Sequence, residues 1–218
     1  MSRQIESAGP NLARAGVMAA AGGCLGTFVL ASIVLALGVP SGVQRMDRTW
    51  MDAMSARRAE PLTTAARTLD QLGGGQIATI VIPVIIVAIL LACRRPWAAG
   101  AFAVASALSS ALVQVVKHAI GRPRPEEVIV HADFGSFPSG HTANAATMTI
   151  ILAIIIGHRI AWLIAAIYTL GMMLSRTYLG AHWLTDTVGG LLAGAGTALL
   201  VAAVVAPALT RERRLHGH

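Results

Sequence analysis

The stretch that decides the fold runs from Pro96 to Pro125, PWAAGAFAVASALSSALVQVVKHAIGRPRP. Its first 21 residues, 96–116, contain no Asp, Glu, Lys or Arg. Roughly 20 apolar residues in a helix cross the hydrocarbon core of a bilayer, so this run is long enough to span one. It then ends in a cluster of cations, Lys117, Arg122 and Arg124, where Gly121, Pro123 and Pro125 prevent the helix from continuing. An apolar span therefore delivers fixed positive charge to a membrane boundary.

The same pattern recurs to either side. Residues 15–44, 71–93, 142–157, 160–175 and 187–210 also lack charged side chains. The runs 142–157 and 160–175 have only 16 residues each, and they extend through His141 and Arg176. A membrane helix tolerates such groups when they face a polar cavity inside a bundle. Hydrophobic residues make up 55% of the chain and charged residues 12%, against about 25% charged in soluble domains. These features predict an all-α polytopic membrane protein with six transmembrane helices in a single domain, 1–218. The helices are expected near Gly16–Val39, Gln76–Cys93, Trp97–Lys117, Ser139–Gly157, Arg159–Leu174 and Ala181–Ala206, with Pro207 closing the last.

Residues 43–72 read as one or two external amphipathic helices. Val43, Met46, Trp50 and Met54 recur at helical steps, and after Pro61 so do Leu62, Ala65, Leu69 and Leu72. Such a segment fits a lid packed for stability as well as a surface that admits lipid. Gly22 and Gly26, and Gly190 and Gly194, are spaced for close helix approach, read here as packing within the bundle. The first apolar run exceeds the usual 7–15-residue core of a signal peptide and is read as a retained helix. Cys24 and Cys93 fall on different predicted spans and read as buried thiols without a disulfide.

A net charge of +7 raises the question of nucleic acid, but its distribution answers it. With six spans, both termini share one side with the turns at Arg94-Arg95 and His158-Arg159. That side holds Arg3, Arg14, Arg94, Arg95, Arg159, Arg211, Arg213 and Arg214 against Glu6 and Glu212, a net +6; the other holds nine basic and eight acidic residues, a net +1. Short basic loops stay cytoplasmic. Both termini are therefore expected inside and the residue clusters that carry chemistry outside or in the periplasm, with the bilayer rather than nucleic acid as the partner.

Two more stretches complement Lys117 and Arg124. Pro138-Ser139-Gly140-His141 starts a helix, where Ser139 is a good cap and Gly140 lets a ligand approach free N–H groups at the positive end of the dipole. A histidine there can hold a proton beside a departing oxygen. Ser175-Arg176 precedes His182, and Asp186 follows four residues later, which would put both on one helix face. Asp186 can then accept the Nδ1 proton of His182 and leave Nε2 as a free lone pair. Lys117, Arg124 and Arg176 can neutralise the oxygens of a five-coordinate phosphorus. The inventory suits phosphoryl transfer through a histidine with no cofactor, and no H-E-x-x-H, C-x-x-C or carboxylate cluster suggests a metal.

Written together as K-x6-R-P, P-S-G-H and S-R-x5-H-x3-D, these stretches resemble the signature of the type 2 phosphatidic acid phosphatase (PAP2) family, with every position filled in order. The resemblance implies His182 as the nucleophile that becomes phosphohistidine, His141 as general acid, and phosphate contacts from Lys117, Arg124, Ser139, Gly140 and Arg176. It also selects Arg124 over Arg122, which is left to the surroundings of the site or to a headgroup. His118 and His131 read as solvated loop histidines, and His216 and His218 as exposed tail residues. The implied function is a membrane lipid phosphatase acting on undecaprenyl diphosphate, phosphatidylglycerol phosphate or phosphatidic acid. The rivals are a non-catalytic lipid-phosphate binding or transport protein and a vanadate-binding haloperoxidase relative; the two histidines argue against the first, the membrane spans against the second. Oligomeric state is not encoded in these motifs.

The sidedness is directly testable. Cysteines introduced near Glu127 and Thr63 should react with an impermeant reagent in intact cells, and one near Arg95 or Arg213 should not; the reverse labelling would overturn the topology.

Overall fold

Inside a bilayer every backbone N–H and C=O must be satisfied within the chain, which leaves helices as the way to organise these apolar runs. A computed structural model describes residues 8–215, so Arg3, Glu6, His216 and His218 lie outside the described residues. Eight α-helices order that region: α1 (Ala8–Leu37), α2 (Ser41–Ser55), α3 (Glu60–Gly73), α4 (Ile82–Ala92), α5 (Pro96–Ile120), α6 (Gly140–Ile156), α7 (Arg159–Tyr178) and α8 (Leu184–Leu215). A π-helical turn, Ile77–Val81, leads into α4 just before Pro83; a proline removes one helical donor and such turns commonly absorb the change.

Among the described residues, Arg14–Leu37, Pro96–Ile120, Arg159–Tyr178 and Leu184–Leu215 are long and apolar enough to cross a membrane. The helix Glu60–Gly73 and the Ile77–Ala92 segment, bent by 45° to each other, together make a fifth candidate. The expected fourth span is the shorter α6, with 17 residues, so length and composition support four or five crossings rather than six.

The bundle is built around α8, which packs against α1, α5 and α6. Small residues let it approach. A Cβ at Gly190 would lie 2.5 Å from the Ser139 carbonyl oxygen, and one at Gly194 would lie 2.3 Å from that of Ala143. The backbone of α8 therefore rests directly on the first turns of α6, which brings the second and third sequence motifs together. Gly22 and Gly26 face open space, so only the second glycine pair packs within the chain. Apolar side chains such as Leu30, Ile33, Val84, Ile89, Ile164 and Ile167 point outwards, as expected where lipid rather than water surrounds the helices.

Several boundaries differ from the sequence expectation. Pro207 does not close the last helix; α8 runs through it to Leu215. The reason is tertiary. The Glu212 carboxylate accepts the Trp97 and Ala98 N–H groups at 2.7 and 3.2 Å, at the start of α5. Arg213 Nη2 donates to the Ile154 carbonyl at 2.8 Å, at the end of α6. These bonds satisfy the exposed ends of two other helices and hold the chain helical past the proline. The cysteines are less buried than expected, Cys24 partly and Cys93 exposed on the apolar surface.

The external segment forms two helices, α2 and α3, but the faces they turn inwards are mixed rather than purely apolar. Met46, Leu62 and Leu72 remain exposed, whereas Asp47, Met51, Thr63 and Ala66 are buried. Polar residues dock inwards because they meet charge. Asp47 accepts Arg122 Nη2 at 2.7 Å, the Thr185 N–H at 3.0 Å and the Thr185 hydroxyl at 2.6 Å. Removing one partner of a buried ion pair typically costs about 3–5 kcal/mol. Asp47→Ala should therefore lower the thermal unfolding midpoint of the detergent-solubilised protein clearly, while Asp52→Ala, at an exposed position of the same helix, should leave it unchanged.

Candidate active site

The Gly121 turn, in the left-handed conformation at φ 59°, ends α5 and leaves Lys117 one turn inside the helix. Lys117 is buried, and its ammonium donates to the Gly135 carbonyl at 2.7 Å and reaches Asp133 Oδ1 at 3.4 Å. From the following loop, Arg124 donates to the Ala181 carbonyl at 2.5 Å, the Gly135 carbonyl at 2.9 Å and Asp133 Oδ1 at 2.5 Å. Its Nη1 also lies 3.3 Å from His182 Nε2. Arg176, buried at the end of α7, contacts Asp70 through Nη1, and its Nε has no partner among the described residues.

Lys117, Gly140, His141, Arg176, His182 and Asp133 are among the residues lining one cavity of about 580 Å³. Arg124 borders a neighbouring cavity of about 500 Å³ and meets the first through His182. Ser139 stands at the start of α6, wholly buried, where its hydroxyl oxygen accepts the Thr142 N–H at 3.4 Å. Its own N–H donates to the Asp186 carbonyl at 2.9 Å. The three motifs thus converge, with Ser139 serving as the cap that aims the α6 N-terminus.

The His182–Asp186 pair departs from the expected geometry. His182 precedes α8 instead of lying on it. Its Nδ1 is 2.7 Å from the Ser136 carbonyl oxygen and 3.6 Å from Asp186 Oδ2. The carbonyl is the direct partner, because a 3.6 Å separation is too long for a hydrogen bond. Asp186 is instead occupied by Arg122 Nη1 at 2.5 Å and by the Trp183 N–H at 2.8 Å. A carbonyl only accepts, so Nδ1 carries the proton and Nε2 presents its lone pair towards Arg124. Burial first, and then the charges of Arg176, Arg124 and Lys117, keep the imidazole neutral well below its ordinary titration range.

Arg122 occupies a structural position. It is buried, joins Asp186 to Asp47, and lies over the Trp183 ring at 5.8 Å. Three carboxylates went unnoticed in the sequence: Asp47, Asp70 and Asp133. Asp70 lies 106 positions before Arg176, and no local pattern joins them. Asp133 was open to a charge argument, since three convergent cations call for a nearby anion. His118 keeps its ring on the Gln114 carbonyl at 2.8 Å, while His131 is an exposed residue at the cavity rim.

A helical membrane fold whose cations, capped helix start and oriented histidine surround one cavity defines a class of phosphate-handling membrane proteins. Residues 98–209 match the PAP2 superfamily, and the chain belongs to that superfamily. It is 29% identical over 173 residues to phosphatidylglycerophosphatase B of Bacillus subtilis, covering 74% of this chain and 85% of that one. It is 36% identical over 110 residues to a lipid A 1-phosphatase of Rhizobium johnstonii, covering 45% of this chain and 44% of that one. The crystal structure of a transmembrane PAP2-type phosphatidylglycerolphosphate phosphatase from Bacillus subtilis matches the fold with a TM-score of 0.75 at 27% identity, over 83% of this chain and 95% of that one.

Asp133 occupies donors of two of the convergent cations, Lys117 and Arg124. Burial alone would raise its carboxyl, but Lys117 and Arg124 outweigh that and hold it below the usual carboxylate value. It therefore stays ionised across the neutral range. Asp133→Asn should tighten inhibition by vanadate on the order of threefold to fivefold, the scale of a partly exposed ion pair. Inhibition curves at neutral pH test this; unchanged or weaker inhibition would show that Asp133 does not compete.

Proposed function

We propose that this protein removes phosphate from a lipid phosphomonoester or diphosphate in two steps through a phosphohistidine at His182. The observation that carries the reading is the fixed tautomer of His182, with Nδ1 on the Ser136 carbonyl at 2.7 Å and Nε2 beside Arg124 at 3.3 Å. In the first step Nε2 bonds to phosphorus, the bond to the leaving oxygen breaks, and His141 gives that oxygen a proton. In the second step His141 takes a proton from water, the water oxygen bonds to phosphorus, and the N–P bond breaks. Lys117, Arg124 and Arg176 offset the charge of the equatorial oxygens without reorganising. The Asp186 carboxylate, near Nδ1 at 3.6 Å, stabilises the positive imidazole that forms on attack.

The lipid class follows from depth. Lys117 and Arg176 lie in the last turns of two apolar helices, so a phosphate between them sits at headgroup level while its hydrocarbon tail stays in the bilayer. We assign six crossings by counting α6 as a span enclosed by α5, α7 and α8, with both termini cytoplasmic and the cavity open to the outside or periplasm. The exposed side chains of Met46, Leu62 and Leu72 support the placement of α2 and α3 on the membrane surface. An outward site favours undecaprenyl diphosphate; the named relatives support phosphatidylglycerol phosphate and lipid A as alternatives. Phosphate release by the purified protein across these lipids ranks them.

The two histidines should separate kinetically. His182→Ala should abolish turnover of every substrate, because no covalent intermediate forms. His141→Ala should lose roughly 10²–10⁴-fold on a lipid with a poor leaving group. With p-nitrophenyl phosphate it should still release about one nitrophenol per site in a burst, then stall with phosphohistidine at position 182, since hydrolysis needs His141 as base. Equal loss of the burst in both variants would refute this division of roles.

A further inference from the structure

The carboxylate in hydrogen-bonding distance of a catalytic histidine belongs to a different histidine from the one the sequence pairs. Asp70 Oδ1, on the last turn of α3, is 3.0 Å from His141 Nε2 and also contacts Arg176 Nη1. Resting on the reading of His141 as acid and base, we propose that Asp70 is its positioning carboxylate, binding Nε2–H and leaving Nδ1 to exchange the proton with the leaving oxygen and then with water.

The end of α3 is shaped for this contact. A Cβ at Gly74 would lie 1.9 Å from His141 Nε2, and one at Gly73 would lie 2.1 Å from Met172 Cε. The Asp70 carboxylate and the bare backbone of Gly74 thus address the same imidazole edge. The helix is pinned before it arrives there. Ser175 Oγ donates to the Ala66 carbonyl at 2.7 Å, and the Tyr178 hydroxyl accepts the Ala59 N–H at 2.8 Å and lies 3.2 Å from Thr63 Oγ1. These contacts join α3 to the residues flanking Arg176, so Asp70 is presented to His141 and Arg176 by one rigid unit.

Charge gives the carboxylate its task. The groups around His141 are Lys117 from α5, Arg124 and Asp133 from the loop, Arg176 from α7 and His182 ahead of α8. Nearby cations and partial burial oppose a proton on an imidazole, and a carboxylate in contact favours it. A general acid here must retain its proton until the leaving oxygen departs, and Asp70 is the group in contact that helps it do so. By holding Nη1, Asp70 also fixes the Arg176 guanidinium, whose Nε is buried without a partner among the described residues.

The test is Asp70→Asn, which keeps shape and removes charge. On a lipid substrate, kcat should fall at least about tenfold, and the basic limb of its pH profile should move to lower pH. The nitrophenol burst from p-nitrophenyl phosphate should stay within about threefold of wild type, because a good leaving group needs little acid help. Equal loss on both substrates with an unmoved pH profile would assign Asp70 a merely structural role and overturn the proposal. Asp70→Ser is the second variant, and failure of both to purify folded would overturn it equally. The parent reading fails separately: if His141→Ala loses the burst as completely as His182→Ala, His141 is not the acid, whatever Asp70 does.

Discussion

Arg122 is the charge on which the architecture of the site depends. Buried between Asp186 at 2.5 Å and Asp47 at 2.7 Å, it joins the loop after α5, the first turn of α8 and the external helix α2. None of these charges is tolerable there alone, because an isolated ion in a low-dielectric interior costs several kcal/mol. Burial of the arginine therefore requires both carboxylates, and together they fix three distant segments in register. His182 stands between the segments so joined, and its orientation by the Ser136 carbonyl follows from the position of that loop.

The catalytic cavity has a second charge economy. Lys117, Arg124 and Arg176 concentrate positive charge around His182. Asp133 contacts the first two and Asp70 contacts the third. The two carboxylates are unequal. Asp133 is largely exposed and easily displaced by solvent or substrate, whereas Asp70 is held by a helix pinned to α7. One suits an exchangeable counter-ion, the other a fixed partner for His141. The helices α2 and α3 consequently belong to the site through Asp47 and Asp70.

The sequence by itself determined the helical membrane class, most helix positions and the motif residues Lys117, His141, Arg176 and His182 that the fold brings to one cavity. Those features are local: a bilayer demands long apolar runs, and each signature spans no more than a helix end and the loop beside it. Ser139 at the start of α6 and Gly157 at its end were legible for the same reason, since caps are set by the nearest residues. Only the tertiary structure decided that α8 continues through Pro207, that Arg122 is buried between two aspartates, and that His182 bonds the Ser136 carbonyl ahead of Asp186. It also decided which way α2 and α3 turn, bringing Asp47 and Asp70 to their partners. Each of those outcomes depends on charges or helix ends supplied from far along the chain, and the energy of bringing them together is a property of the packed bundle, which no short window of sequence contains.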